Sequence, residues 1–103
     1  MTPTSNVITL SAAPKSLSAE ARRTWQALTN EYCIDDAAGL AILGQLCETL
    51  DRLRECEARI QADGLIVAGY NEQPRPNPLL KTEAEYRRLI LAQFRALKLG
   101  GDE

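Results

Sequence analysis

Histidine is absent from this chain, and three cysteines stand far apart at positions 33, 47 and 56. Without an imidazole, neither a Ser-His nor a Cys-His nucleophile can form, and Cys/His zinc patterns are excluded. Three thiols are too few for a tetrahedral Cys-only site in one chain. An odd number with no close pair is also a poor disulfide framework. Cys47 and Cys56 fall inside a helical pattern and read as small apolar core residues. Aromatic residues number only five: Trp25, Tyr32, Tyr70, Tyr86 and Phe94. Aliphatic side chains and alanine must therefore do most of the packing, which suits helices better than a sandwich or barrel. No apolar run approaches the ~20 residues that span a bilayer. The first residues lack the basic-then-hydrophobic order of a signal peptide, so the cytoplasm is the simplest compartment.

Phosphate-binding loops are missing too, whether of the Gly-x-x-x-x-Gly-Lys-Ser/Thr or of the Gly-x-Gly-x-x-Gly kind. Asp35-Asp36 stands where a helix begins, so it reads as a cap and not as a metal site. Glu83 and Glu85 are two apart on a helix and point to different faces. The sequence thus predicts a protein with no catalytic centre, cofactor or metal.

What is present is the material of one small, mostly α domain of 103 residues with a net charge of −2. Residues 1–16 are rich in Thr, Ser and Pro around a short apolar run, Val7-Ile8-Thr9-Leu10. They are expected to form a mobile arm that orders against a partner. Residues 17–100 form the expected helical core, and 101–103 a short acidic tail. Ser18 caps a first helix whose apolar stripe is Leu17, Ala21, Trp25, Leu28 and Tyr32. A second, long helix is expected from about Asp36 to Asp63, stopped by Gly64. Its apolar residues make two neighbouring stripes: Leu40, Leu43, Cys47 and Leu50, then Leu46, Leu53, Cys56 and Ile60. So broad a face needs more than one neighbour. The first helix, packed as a helical hairpin, supplies one, and a second copy of the chain is expected to supply another through Trp25, Leu43, Leu46, Leu50 and Leu53.

After Gly64 the period shortens. Residues 65–70 read as extended, with a turn near Gly69 or Asn71, and Pro74, Pro76 and Pro78 forbid a central strand. A short β-hairpin or extended finger is expected. Asn77-Pro78 then opens a last helix to about Leu99, packing through Tyr86, Leu89, Ile90, Phe94 and Leu97. Charge is uneven along the chain: residues 75–98 carry six basic and two acidic residues, residues 1–63 six basic and nine acidic. Contact with an anion such as nucleic acid is permitted by this pattern.

The order of elements resembles the phage terminase small subunits of tailed phages and prophages. It is carried by Leu17 to Leu28 with Trp25, by the long helix with Asp51-Arg52 ending Ile60-Gln-Ala-Asp-Gly64, by Asn77-Pro78, and by the close Phe94-Arg-Ala-Leu97-Lys-Leu99-Gly100. The resemblance implies a ring-forming homo-oligomer that binds viral double-stranded DNA in the host cytoplasm. It would present that DNA to the large terminase subunit, which holds the ATPase and nuclease. Duplex contact would come from Lys15, Arg22 and Arg23 at the first helix, or from Lys81, Arg88 and Arg95 on the last helix with Arg75 before it. Two alternatives remain: a head–tail adaptor or structural ring protein, and a small dimeric helical DNA-binding regulator.

Overall fold

The computed structural model describes residues 12–98. Residues 1–11 of the expected arm and the expected tail at 101–103 lie outside the described residues. The described residues form three α-helices and one two-stranded antiparallel sheet.

Helix α1 spans Ala19–Tyr32. Its N-terminus is capped by Ser18, whose hydroxyl accepts the Ala21 N–H at 3.1 Å. Glu20 sits in the first turn, where the helix dipole favours an acid. Helix α2 spans Ala37–Asp63. The Asp36 carboxylate accepts the Gly39 N–H at 3.0 Å, which satisfies one of the orphan donors of the first turn. Gly64, at φ 91°, ends the helix in a backbone region that L side chains rarely adopt.

The two stripes of α2 have different neighbours. Leu40, Leu43 and Cys47 join Leu17, Ala21 and Trp25 in one buried cluster, with Ala13, Leu28, Ile34 and Leu97 packed around it. Thus α1 folds back on the first half of α2, and residue 13 of the expected arm already belongs to the core. A hydrogen-bonded clamp fixes this crossing. Asp51 of α2 accepts both the backbone N–H (2.9 Å) and the hydroxyl of Ser18. Arg54 forks onto Glu20 at 3.1 Å. Of the second stripe, Leu46, Leu53 and Cys56 are also buried, with Thr49 beside them, and Ile60 is half-buried.

Helix α3, Leu79–Ala96, supplies the cover for that stripe. It runs back along α2 and packs on it more extensively than α1 does. At its start the Cys56 thiol donates to the Leu79 carbonyl at 3.4 Å. At its end Leu97 and Lys98 line a cleft with Ile34, Asp36, Gly39 and Ile42. A second copy is expected as another neighbour of the long helix, and within the chain α3 takes such a place. The packing face of α3 holds four of its expected residues, since Tyr86, Ile90, Phe94 and Leu97 are half-buried; Gln93 joins them buried, while Leu89 is 45% exposed.

Between α2 and α3 stands a finger. Strand β1 (Ile66–Ala68) pairs antiparallel with β2 (Pro74–Pro76), placing Ile66 opposite Pro76, Val67 opposite Arg75 and Ala68 opposite Pro74. A single 3₁₀ turn, Tyr70–Glu72, joins them, with Asn71 at φ 56°. A Cβ at Gly69 would lie 2.4 Å from Arg75 Cδ, so any side chain there would displace the Arg75 stem. Asn77 anchors the finger's base. Its amide donates to the Gly64 carbonyl, its side-chain oxygen accepts the Leu79 N–H (both 2.9 Å), and its backbone N–H donates to Leu65 at 2.7 Å. One buried side chain therefore closes the end of α2 and caps the start of α3.

Candidate functional site

The seven cations expected to meet DNA are all exposed. Among the described residues none of them is in an ion pair. The ion pairs are made instead by three other arginines and four acids. Arg54 binds Glu20 and Glu57, Arg87 binds Glu57 and Glu83, and Arg59 binds Asp63. Hydrogen bonding to Glu20 and then to Glu57 raises the pKa of Arg54.

Lys81, Arg88 and Arg95 recur every seven residues on α3. A helix advances ~1.5 Å per residue, so the three form a row of roughly 21 Å along one face. The packing of α3 against α2 holds that row on the outside. Arg75 precedes it on β2, with its aliphatic stem laid across Gly69 and its head group in solvent. Lys15, Arg22 and Arg23 form a separate group at the start of α1. Arg22 is already engaged within the fold. It donates to the Leu17 carbonyl (Nε, 3.3 Å) and the Lys15 carbonyl (Nη2, 2.7 Å), tying down the turn before α1. The α3 row has no such internal duty.

Most of the residues expected between copies are already covered within a single chain. Trp25, Leu43, Leu46 and Leu53 are 3%, 0%, 1% and 4% exposed within a single chain. Their apolar character serves the contacts of α1 and α3 with α2. Leu50 is half-buried. The exposed apolar residues are others: Leu65 (62%), Ile66 (60%) and Tyr70 (87%) on the finger, Leu89 and Leu91 on α3, and Tyr32 at the end of α1. The run Leu65-Ile66-Val67 directly after Gly64 is the sequence signal for the finger. Its brevity is what makes it hard to bury.

The two buried thiols are held protonated. Burial, then the nearby Asp51 charge, pushes Cys47 up to about 11. Burial also raises Cys56, with Glu83 and Glu57 adding to it. A thiol held protonated is a poor nucleophile. Among the described residues no three His, Cys, Asp or Glu side chains are placed to hold a metal ion, and no helix is long and apolar enough to cross a membrane.

The arrangement is therefore a helical scaffold displaying a row of cations and an apolar finger. Comparison with curated proteins and with solved structures gives no match. Comparison with family models does: the phage terminase small subunit model matches residues 19–99, taking in all three helices and the finger. With most of its length matched in this way, the chain belongs to the phage terminase small subunit family.

Proposed function

We propose that this chain is the small subunit of a phage or prophage terminase. It is a non-catalytic, ring-forming protein that binds viral double-stranded DNA in the host cytoplasm and presents it to the large terminase subunit for packaging. The observation that carries the reading is the family match across the domain, taken with the row Lys81, Arg88 and Arg95, which is exposed and outside every ion pair of the described residues. We assign duplex contact to this row and to Arg75, with Lys15 and Arg23 in support. The contacts are to phosphates, which position a duplex without reading its sequence. A ring multiplies a modest patch by its copy number, so a chain of net charge −2 still presents a basic belt. The shape favours assembly as well. The radius of gyration is 17.5 Å, whereas a compact domain of this length has about 13 Å.

The test is the native mass of the full chain together with its affinity for duplex DNA across a salt series. The expected result is one closed species of many subunits whose log affinity falls linearly with log salt. Replacing Lys81, Arg88 and Arg95 together by Ala should weaken binding at least tenfold and flatten that slope. Lys15→Ala/Arg23→Ala should do less. A ring that ignores DNA would point to an adaptor, and a DNA-binding dimer to a regulator.

A further inference from the structure

The two edges of the finger are chemically unlike. Asn77 N–H donates to Leu65 O, and Gly69 N–H donates to Gln73 O, each at 2.7 Å. In an antiparallel ladder, bonded and non-bonded pairs alternate. Leu65–Asn77, Val67–Arg75 and Gly69–Gln73 are therefore the bonded pairs. Ile66–Pro76 and Ala68–Pro74 are the non-bonded ones, whose backbone groups face outward. On β2 both outward positions are proline and offer no N–H, so that edge is closed to a further strand. On β1 both outward positions, Ile66 and Ala68, keep an N–H and a C=O. The open edge is flanked by the exposed Leu65, Ile66 and Tyr70. One edge is blocked and the other is open and apolar, as a site for one added strand requires.

We propose that β1 accepts Val7-Ile8-Thr9-Leu10 of a second copy as a third strand, linking copies head to tail. This inference rests on the ring reading above and supplies its contact. The run contains three β-branched residues in succession, Val7, Ile8 and Thr9, the side chains that favour strands. Geometry excludes the chain's own finger as the acceptor. Ala12 lies at the junction of α1 and α2, lining a cleft with Gln26, Thr29, Asn30, Cys33, Ile34 and Asp35. The finger follows Gly64, at the far end of α2, and a 27-residue helix is about 40 Å long. From Ala12 back to Val7 even a fully extended chain covers only roughly 17 Å. Ala12, which the donor segment precedes, thus lies at the end of the molecule opposite the finger. Such a contact is heterologous, and repetition builds a ring where the rotation between copies closes. Pairing of two β1 edges with each other would be isologous and would stop at two.

Native mass of two full-length double variants tests this. Ile66→Pro/Ala68→Pro removes both outward donors of β1, in positions equivalent to those that Pro74 and Pro76 already occupy on β2. Val7→Pro/Ile8→Pro removes one ladder donor of the incoming strand in either register, because neighbouring residues point opposite ways. Both should fall to single-chain mass with unchanged helical circular dichroism. In a Cys33→Ser background, Ile8→Cys with Ile66→Cys should give a covalent ladder beyond dimer under mild oxidation. An assembly that survives both proline pairs overturns strand exchange and leaves the packaging reading intact. A covalent dimer from Ile66→Cys alone overturns it in favour of β1–β1 pairing. A full-length chain that is monomeric and holds no duplex DNA removes the packaging reading, and the exchange with it.

Discussion

Asn77 shows how much one side chain can decide. It is buried, and each half of its amide has a backbone partner in a different helix boundary: Gly64 on one side, Leu79 on the other. Truncation leaves a carbonyl and an N–H without partners, and each such group costs about 1–3 kcal/mol when water cannot replace the bond. Asn77→Ala should therefore lower unfolding free energy by about 2–3 kcal/mol in a denaturant titration. Asn77→Asp should also destabilise, since a carboxylate keeps the acceptor for Leu79 but turns a lone pair toward the Gly64 carbonyl. The cysteines give a second residue-scale prediction. Cys47 is pushed up to about 11 by burial and by Asp51, whereas Cys33 is exposed. At pH 8 a thiol-alkylating reagent should label Cys33 alone in the folded chain and all three cysteines once it is unfolded. Linkage fixes the sign of the pH effect. Above about pH 9 the unfolded chain loses the Cys47 proton while the folded chain retains it. Stability should then decline as pH rises toward 11.

At the scale of elements, helix ends are the most legible feature of the sequence, because each depends on local chemistry. Ser18, Asp36 and Gly64 act where the sequence places them, and Asn77 caps α3 although the regular helix starts two residues on, at Leu79. The finger is legible from Gly64, Gly69 and the three prolines. Partner choice is not legible. The two stripes on α2 require two neighbours, but a stripe carries no label saying whether the cover belongs to the same chain. Hence Trp25, Leu43, Leu46 and Leu53 read equally well as interface or core. Gln93 is a related case. Its polarity favours the outside, and packing of α3 as a unit turns it inward. The proposed DNA-facing row is legible as a seven-residue repeat. That Arg87, not Arg88, pairs with Glu57 follows only from the helix crossing. The glycines of α2 make a clean test of this packing. A Cβ on Gly44 would meet Trp25 at an ordinary 3.7 Å. Gly44→Ala should stabilise by about 0.5–1 kcal/mol through helix propensity alone. A Cβ on Gly39 would lie 2.8 Å from Asp36 Oδ1 and 3.0 Å from Ile34 Cγ2. Gly39→Ala should lose that gain or become destabilising, because it displaces the cap. Thermal melts of the two variants against the parent would decide.

For the whole molecule, charge and extent together set how it can hold DNA. The chain measures 62 × 34 × 17 Å and carries a net charge of −2, so a single copy is a weak ligand for a polyanion. The proposed DNA-facing row, Lys81, Arg88 and Arg95, would reach few phosphates at a time. Linked copies change this, because once one row is bound the next is presented at high effective concentration. Assembly and DNA affinity should therefore fall together when the contact between copies is broken, even though no cation is touched. Ile66→Pro/Ala68→Pro should lower apparent affinity for a long duplex by about 10²–10⁴-fold. Its salt slope should shrink toward that of one subunit, at about 0.9 per phosphate neutralised. On a duplex too short to meet more than one row, parent and variant should bind alike. Equal loss on long and short duplexes would instead place the finger itself on the DNA. An undiminished affinity in a dissociated variant would mean that a single row suffices, and that the ring serves the large subunit and not the duplex.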